Sequence, residues 1–335
     1  MINKIKNLST VNTLSKHEQL VQGVIEAIDS GSLLVGDQLP SINQMVGELG
    51  FARKTIVKAY EELKSRGLIE SKKLKGYFII SVETNVSLKV ALLLFSFQRF
   101  QQDFYNTFRK ELGKRFQIDV FFHHNNTDVF ETIFNNIFGK YGMYVVAPIP
   151  DPIIQNLLSN INPEKLLVID RYIDMPSSYS YISQKFEQSV YEGLKVLLQQ
   201  VKKYDKFIVC VPDEESYAEG VVKASRKFIL DFEIEGVIKT GYVNGSIQKG
   251  NLYFFIDDSY LWEAIRDCDN KGYKMGQDVG ILSHDDHLVK EIVLGGVTTI
   301  SCDFKLMAKK AAKHIINKEP IQEIMPSNLM NRNSL

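Results

Sequence analysis

The sequence is poor in the features that mark exported, metal-bound or catalytic chains. Its 335 residues include only three cysteines, Cys210, Cys268 and Cys302, far apart and with no C-x-x-C pair. That spacing argues against a disulfide framework and against a zinc site, so all three are expected to be reduced core residues. The N-terminal stretch Met1-Ile2-Asn3-Lys4-Ile5-Lys6-Asn7 lacks the apolar run of a signal peptide. No segment approaches the roughly 20 apolar residues of a membrane span, so the expected location is cytoplasmic, with no membrane partner. Forty Lys and Arg residues balance forty Asp and Glu. That balance argues against a protein coating nucleic acid over its whole surface, but leaves room for a local basic patch. No G-x-x-x-x-G-K-[ST], G-x-G-x-x-G or G-x-S-x-G motif occurs, nor a pyridoxal-phosphate lysine motif. The chain reads as a non-enzyme without a cofactor.

What is present is a hydrophobic fraction of 44% with 11% aromatics, enough for a large core and two or more domains. The stretch Leu49 to Lys64 organises the first of them. Gly50 accepts the left-handed conformation that ends a helix, and a new helix opens at Phe51 or Ala52 with Arg53, Lys54 and Thr55 in its first turn. Ile56, Ala59, Tyr60 and Leu63 recur at three- and four-residue spacing and form a buried stripe. Arg53, Lys54 and Lys58 fall away from that stripe, as suits a helix entering the DNA major groove. Upstream, residues 1 to 16 are expected to be a loosely held arm. Leu20, Val21, Val24, Ile25 and Ile28 then define a helix from Lys16 to Ser30-Gly31. A linker, Leu34 to Pro40, leads to Ser41, a good N-cap with Gln44 at the capping-box position of a short helix near Ile42 to Leu49. Two helices joined by a tight turn make a helix-turn-helix. After Gly67, two short strands flank Lys72-Lys73-Leu74-Lys75, a wing with a basic tip for the phosphate backbone.

The succession Gly36-Asp37-Gln38-Leu39-Pro40-Ser41, Leu49 to Ile56, Tyr60-Glu61-Glu62-Leu63, Gly67-Leu68-Ile69 and Gly76-Tyr77-Phe78 resembles the GntR-type winged helix over residues 16 to 80. The resemblance implies that Ser41, Arg53, Lys54, Thr55 and Gly76 face DNA; Lys58, Lys73 and Lys75 complete the basic set. Two departures stand out. Many members carry an arginine where this chain has Asn43, and a basic residue where it has Val57. The operator sequence therefore does not transfer from a relative.

Beyond a polar linker at 81–88 the pattern changes. Continuous apolar runs of strand length, such as Lys89 to Phe95, Met143 to Ala147, Leu166 to Asp170, Phe207 to Val211 and Leu252 to Ile256, alternate with amphipathic helices. Such alternation predicts an open, doubly wound parallel α/β sheet, with enough chain at 89–335 for two lobes and a ligand crevice at the carboxyl ends of the strands. Asp278-Val279-Gly280-Ile281-Leu282-Ser283-His284-Asp285-Asp286, Val297-Thr298-Thr299-Ile300 and the tail from Pro326 to Ser334 are similar to the LacI/galactose-repressor sensor domain, a periplasmic-binding-protein-like fold. With residues 1–80 as a winged helix, the arrangement resembles arabinose-repressor-like sugar regulators.

Asp170, Asp257 and Asp285 follow strand runs on the side where such sheets bind ligands, and carboxylates accept paired sugar hydroxyls well. The plain alternative is that they cap the following helices. Sensors of this type carry an arginine near the place of Tyr217; its absence leaves the sugar open. Phe97, Phe100 and Trp262 are candidates to stack on a sugar ring, against the alternative of plain core residues. His284 to His287 has metal-ligand residue types, but the resemblance accounts for both aspartates without a metal. The expected function is a homodimeric regulator, a repressor by analogy, that binds double-stranded operator DNA and responds to a monosaccharide such as arabinose or fucose. A regulator of a non-sugar metabolite, a sugar-processing enzyme and a purely architectural DNA-binding protein are the competing readings.

Overall fold

The computed structural model describes residues 1–8, 15–84, 88–96, 99–138, 140–212 and 215–335, the last without the side chains of 215–218. The N-terminal unit contains α1 (Ile2–Leu8), α2 (Lys16–Asp29), α3 (Ile42–Leu49), α4 (Arg53–Ser65), β1 (Ile69–Lys72) and β2 (Gly76–Ile79). Its start corrects the expectation of a loose arm. Met1, Ile2 and Ile5 lie on one side of a short helix, and Ile5 is fully buried against Gly23 of α2, where a Cβ would collide with it. A seven-residue helix has little stability alone, so this packing accounts for its presence.

The remaining head elements follow the sequence closely. Ser41 and Gln44 form the capping box of α3, and Gly50 ends it at φ 66°. Ile56, Ala59, Tyr60 and Leu63 are fully buried. The Leu34–Pro40 segment is more than a linker: Leu39 N–H donates to Tyr77 O, Ile79 N–H to Asp37 O, and Gln38 pairs with Phe78 as an antiparallel bridge. The wing thus gains a third edge. Tyr60 Oη donates to Pro40 O at 2.7 Å, tying α4 to that edge.

Two six-stranded sheets follow. The first lobe contains β3 (Leu88–Leu94), α5 (Arg99–Leu112), β4 (Phe116–Phe122), α6 (Thr127–Ile137), β5 (Met143–Val146), α7 (Pro152–Leu158), β6 (Leu166–Arg171) and β7 (Ser180–Gln184). The second contains α8 (Phe186–Val196), α9 (Leu198–Val201), β8 (Lys206–Val211), α10 (Glu215–Asp231), β9 (Gly236–Thr240), β10 (Asn251–Phe255), α11 (Asp258–Lys271), β11 (Gly280–His284), α12 (Leu288–Ile292) and β12 (Thr298–Cys302). The chain then returns as α13 (Phe304–Asn317), packed on α5, and ends with β13 (Gln322–Met325) in the first sheet and β14 (Ser327–Met330) in the second. The sheet orders are β13-β7-β6-β5-β3-β4 and β14-β12-β11-β10-β8-β9. Every pairing in them is parallel except β12 with β14.

The chain crosses between lobes three times, at 184–186, 302–304 and 325–327. Strand β7 and the two strands in the tail were not foreseen. They are short edge or near-edge strands, and their polar residues hide the apolar run expected of a covered parallel strand. Residues 81–84 are tied back to the head, with Thr84 Oγ1 donating to Asp29 Oδ1 at 2.7 Å, and Leu88 already belongs to β3. The head also touches the first lobe. Lys165 Nζ sits 3.0 Å from Glu61 Oε2 on α4, and a Cβ on Gly142 would meet Ser65 O at 2.5 Å. All three cysteines are buried and unpaired, and burial pushes Cys210 up to about 12 and Cys268 to about 11, so neither is a reactive thiol.

Candidate functional site

The head presents one basic face. Arg53, Lys54 and Lys58 are exposed on α4, with Thr55 half-buried beside them. Ala52 gives α4 no side-chain cap, so the amides of its first turn have no side-chain acceptor, a geometry that receives anions. Arg53 reaches back across the turn, its Nη1 donating to Asn43 Oδ1 in the first turn of α3 at 2.5 Å. Ser41 is occupied as a cap: its Oγ accepts from Gln44 N–H at 3.2 Å and its own N–H donates to Gln44 Oε1 at 2.7 Å. On the wing, Lys73 and Lys75 are exposed on either side of a fully exposed Leu74. Gly76 holds φ 100°, which side-chain-bearing residues rarely adopt, and Gln38 Nε2 donates to Lys75 O at 2.6 Å beside it. Ser41 and Gly76 therefore shape this face, while Arg53, Lys54, Lys58, Lys73 and Lys75 charge it.

The second candidate site is the crevice between the lobes. Asp170 is the last residue but one of β6 and Asp285 follows β11, at φ 66° and 58°. His124 and Asn125, after β4, are also left-handed, at 49° and 59°. Non-glycine residues in this region are strained, and such strain gathers at functional sites. Asp170, Asp285 and Phe100 are brought together around a central cavity that retains only about 10 Å³, at most one water. Phe100 is buried against Phe304, ring centroids 4.6 Å apart. The lobes are closed on one another.

Asp170 is supported through its carboxylate and Asp285 through its backbone carbonyl. Asp170 Oδ1 accepts from Gln184 Nε2 at 2.6 Å, and burial pushes its pKa up against the pull of Arg171. Arg171, itself buried, donates from Nη1 to Asn125 Oδ1 at 2.7 Å and lies 5.0 Å from the Phe95 ring centroid. Asn125 N–H in turn donates to His123 Nδ1 at 3.2 Å, while His123 Nε2 lies 3.0 Å from Ala147 O. That arrangement fits a neutral ring with its proton on Nε2, and burial lowers the His123 pKa to about 4. On the other lobe, the fully buried Lys290 donates from Nζ to His284 O and Asp285 O, each at 2.8 Å, and pairs with Asp258 Oδ1 at 2.5 Å. Asp258 Oδ2 also meets His287 Nε2 at 2.8 Å. Asp286 turns away and binds Arg332 through both oxygens at 2.8 Å. Among the described residues, Gln184 Oε1, His284 Nε2 and Asp285 Oδ1 are buried with no hydrogen-bond partner. Buried polar atoms of this kind call for a ligand or water.

Beside the closed centre, and sharing Arg171, Gln184 and Phe186 with it, is a cavity of about 590 Å³ that also touches Tyr172, Tyr191 and Gly220. Its size is that of an ordinary small-molecule site. Asp257 corrects the expectation that it faces the crevice. Its Oδ1 accepts from Ser259 N–H at 2.7 Å as the N-cap of α11, and it lines neither cavity. Trp262 packs beside His287, 6.0 Å between ring centroids, rather than in the crevice. Phe97 and the side chain of Tyr217 lie outside the described residues. The sequence reading missed Arg171, Gln184 and His284 as crevice residues, and Asn125 and Lys290 as the residues that brace them. Arg171 and His284 adjoin aspartates it did select; nothing local marks Lys290 as buried.

Residues 16–79 match the model of bacterial regulatory proteins of the gntR family. Over 62 residues the chain is 37% identical to the HTH-type transcriptional regulator Rv1152 of Mycobacterium tuberculosis, covering 18% of this chain and 51% of that one. Over 67 residues it is 34% identical to the HTH-type regulator YcxD of Bacillus subtilis, 20% of this chain and 15% of the relative. The chain thus spans about half the length of the first of these relatives and far less of the second. Among solved structures, a LacI-family transcriptional regulator from Lactobacillus casei with bound glucose matches at TM-score 0.63 and 13% identity, over 74% of this chain and 99% of that one. A dimeric Lac repressor matches at 0.61, also at 13% identity, over 74% and 98%. The N-terminal unit carries a GntR-type helix-turn-helix domain, and the two-lobed α/β part has the fold of LacI-family regulators.

Proposed function

We propose that this chain is a sequence-specific transcriptional regulator of carbohydrate-use genes, acting as a repressor released by a monosaccharide bound between its lobes. The observation that carries the reading is the union of two features in one chain. A gntR-type head with an exposed basic face is joined to a LacI-like crevice holding Asp170 and Asp285 in strained backbone conformations. Residues 1–80 act as the DNA-binding domain and 89–335 as the sensor. Arg53, Lys54, Thr55, Lys58, Lys73 and Lys75 contact operator DNA. Asp170, Asp285 and Phe100 bind the sugar, joined by Arg171 and Gln184.

Ligand entry requires the closed centre to open toward the adjacent 590 Å³ cavity, so the sugar favours one lobe arrangement over the other. Contact of α4 with the first lobe through Glu61 and Ser65 supports a route from lobe closure to the head. The chain acts as a cytoplasmic homodimer. An apolar ridge of exposed Leu288, Ile292 and Leu294 supports self-association through that face of the second lobe. Arabinose and fucose are the first sugars to try. A thermal-shift screen of the purified protein against a monosaccharide panel, phosphorylated sugars included, tests the reading: a ligand of the folded state raises the melting temperature once its concentration is well above its dissociation constant. A rise with one sugar supports a sugar sensor. A flat panel removes the sugar from the account.

A further inference from the structure

Helix α4 carries one outward side chain that its basic face does not explain. Val57 is 36% exposed, in a helix whose apolar stripe of Ile56, Ala59, Tyr60 and Leu63 is fully buried on the other side. It sits four residues after Arg53, so the two share a face about 6 Å apart along the helix axis. Exposed Lys54 and Lys58 flank that face. Arg53 is held by Asn43 Oδ1 at 2.5 Å, across the turn between the two helices. The C-terminal half of α4 is turned to the first lobe through Glu61 and Ser65, which leaves its N-terminal half to meet DNA.

We infer that Asn43, Arg53 and Val57 form a reading set for an operator half-site in which a guanine lies one or two base pairs from a thymine. This rests on the DNA-binding reading above. An arginine fork pairs bidentately with guanine O6 and N7, and the only apolar group the four bases expose in the major groove is the thymine methyl. A spacing of about 6 Å spans one to two base-pair steps of about 3.4 Å. Asn43 is a positioning residue. Its carbonyl oxygen fixes one arm of the guanidinium before DNA arrives, so less side-chain freedom is lost on binding. Val57 supplies the methyl contact; a basic side chain there would reach for a phosphate or a second guanine instead. Lys54 and Lys58 supply affinity without base preference.

The test begins by selecting bound duplexes from a random pool with the full-length protein. The expected half-site contains the guanine and thymine at this spacing. Replacing that thymine by deoxyuridine removes only its methyl group and is expected to lower wild-type affinity about fourfold, with no effect on Val57→Ala. Replacing the guanine by 7-deazaguanine removes N7. Discrimination against it is expected to fall about threefold or more in Asn43→Ala and to persist in Asn43→Asp, which keeps the acceptor. If uracil at every selected thymine leaves wild-type affinity unchanged, or Asn43→Ala discriminates as well as wild type, the assignment is overturned while the DNA-binding reading stands. If the pool yields no preferred sequence, both fall.

Discussion

The two candidate sites are built in opposite ways. On the head, the charged groups stand in water on a surface whose core lies elsewhere, and few contacts hold them beyond the Asn43–Arg53 bond. In the crevice, the charged groups are inside the protein. Asp170, Arg171, Asp285 and Lys290 are all buried; Asp170, Arg171 and Lys290 are held through their side chains by Gln184, Asn125 and Asp258, and Asp285 through its backbone carbonyl. A surface that reads DNA gains from side chains that desolvate only when the partner comes. A crevice that holds a small polar molecule needs its groups fixed and dry beforehand. Substitution should therefore separate stability from binding on the head and confound them in the crevice.

The largest effect is expected at Lys290. Lys290→Met removes a fully buried cation, leaving Asp258 with His287 alone, the Asp285 carbonyl without its lysine donor and the His284 carbonyl with Ser283 Oγ in place of two donors. Asp258 is a third exposed, so the cost comes from the lost hydrogen bonds of the turn together with the weakened ion pair and is expected to be about 3 kcal/mol, to be read by urea denaturation. A change below about 1 kcal/mol would show that the buried cation is not what holds this turn.

The next is a pH effect from the other lobe. His123 is neutral when folded, with its pKa lowered to about 4 by burial, whereas an unfolded histidine titrates near 6.5. Between those values the unfolded chain binds the extra proton, so stability is expected to fall as pH drops from about 6.5 toward 4, by about 3 kcal/mol from this group. Above pH 6.5 the contribution is flat. In His123→Gln the difference from wild type should narrow steadily across that acid window, and a pH-independent difference would refute the assignment.

On the head, Tyr60→Phe removes the hydrogen bond to Pro40 O and is expected to cost about 1 kcal/mol by the same denaturation measurement. The smallest stability effect belongs to the wing. Lys73→Ala with Lys75→Ala should alter stability by less than about 0.5 kcal/mol. It should nevertheless weaken binding to every DNA sequence and lower the salt slope by about 2. An unchanged slope in a DNA titration would take the wing off the phosphate backbone.

The same contrast explains what the sequence revealed. The head was legible because its signals are local: Ser41 with Gln44 three residues on, Gly50 between two helices, and four apolar residues at helical spacing around Tyr60. Its exceptions were long-range, namely the docking of Ile5 on Gly23 and the pairing of Gln38 with Phe78. In the lobes, the central strands announced themselves by apolar runs. Strand β7 and the tail strands β13 and β14 did not, because they lie at or near sheet edges and pair with partners far along the chain, β13 with β7 some 140 residues before it and β14 with β12 about 30 residues before it. Asp170 and Asp285 could be found as acidic residues after strands, but so could Asp257, and only the fold separates a crevice residue from a helix cap. Lys290 had no signature at all. Its burial follows from Asp258, a residue 32 positions earlier on another helix.

The measurement that tests the central claim most directly is an operator-DNA titration of the full-length protein with and without the sugar that raises its melting temperature. The account predicts that saturating sugar weakens operator affinity about fivefold or more, and that operator DNA weakens sugar binding by the same factor. Operator affinity that is the same with and without bound sugar would contradict it, leaving a head and a crevice that do not communicate.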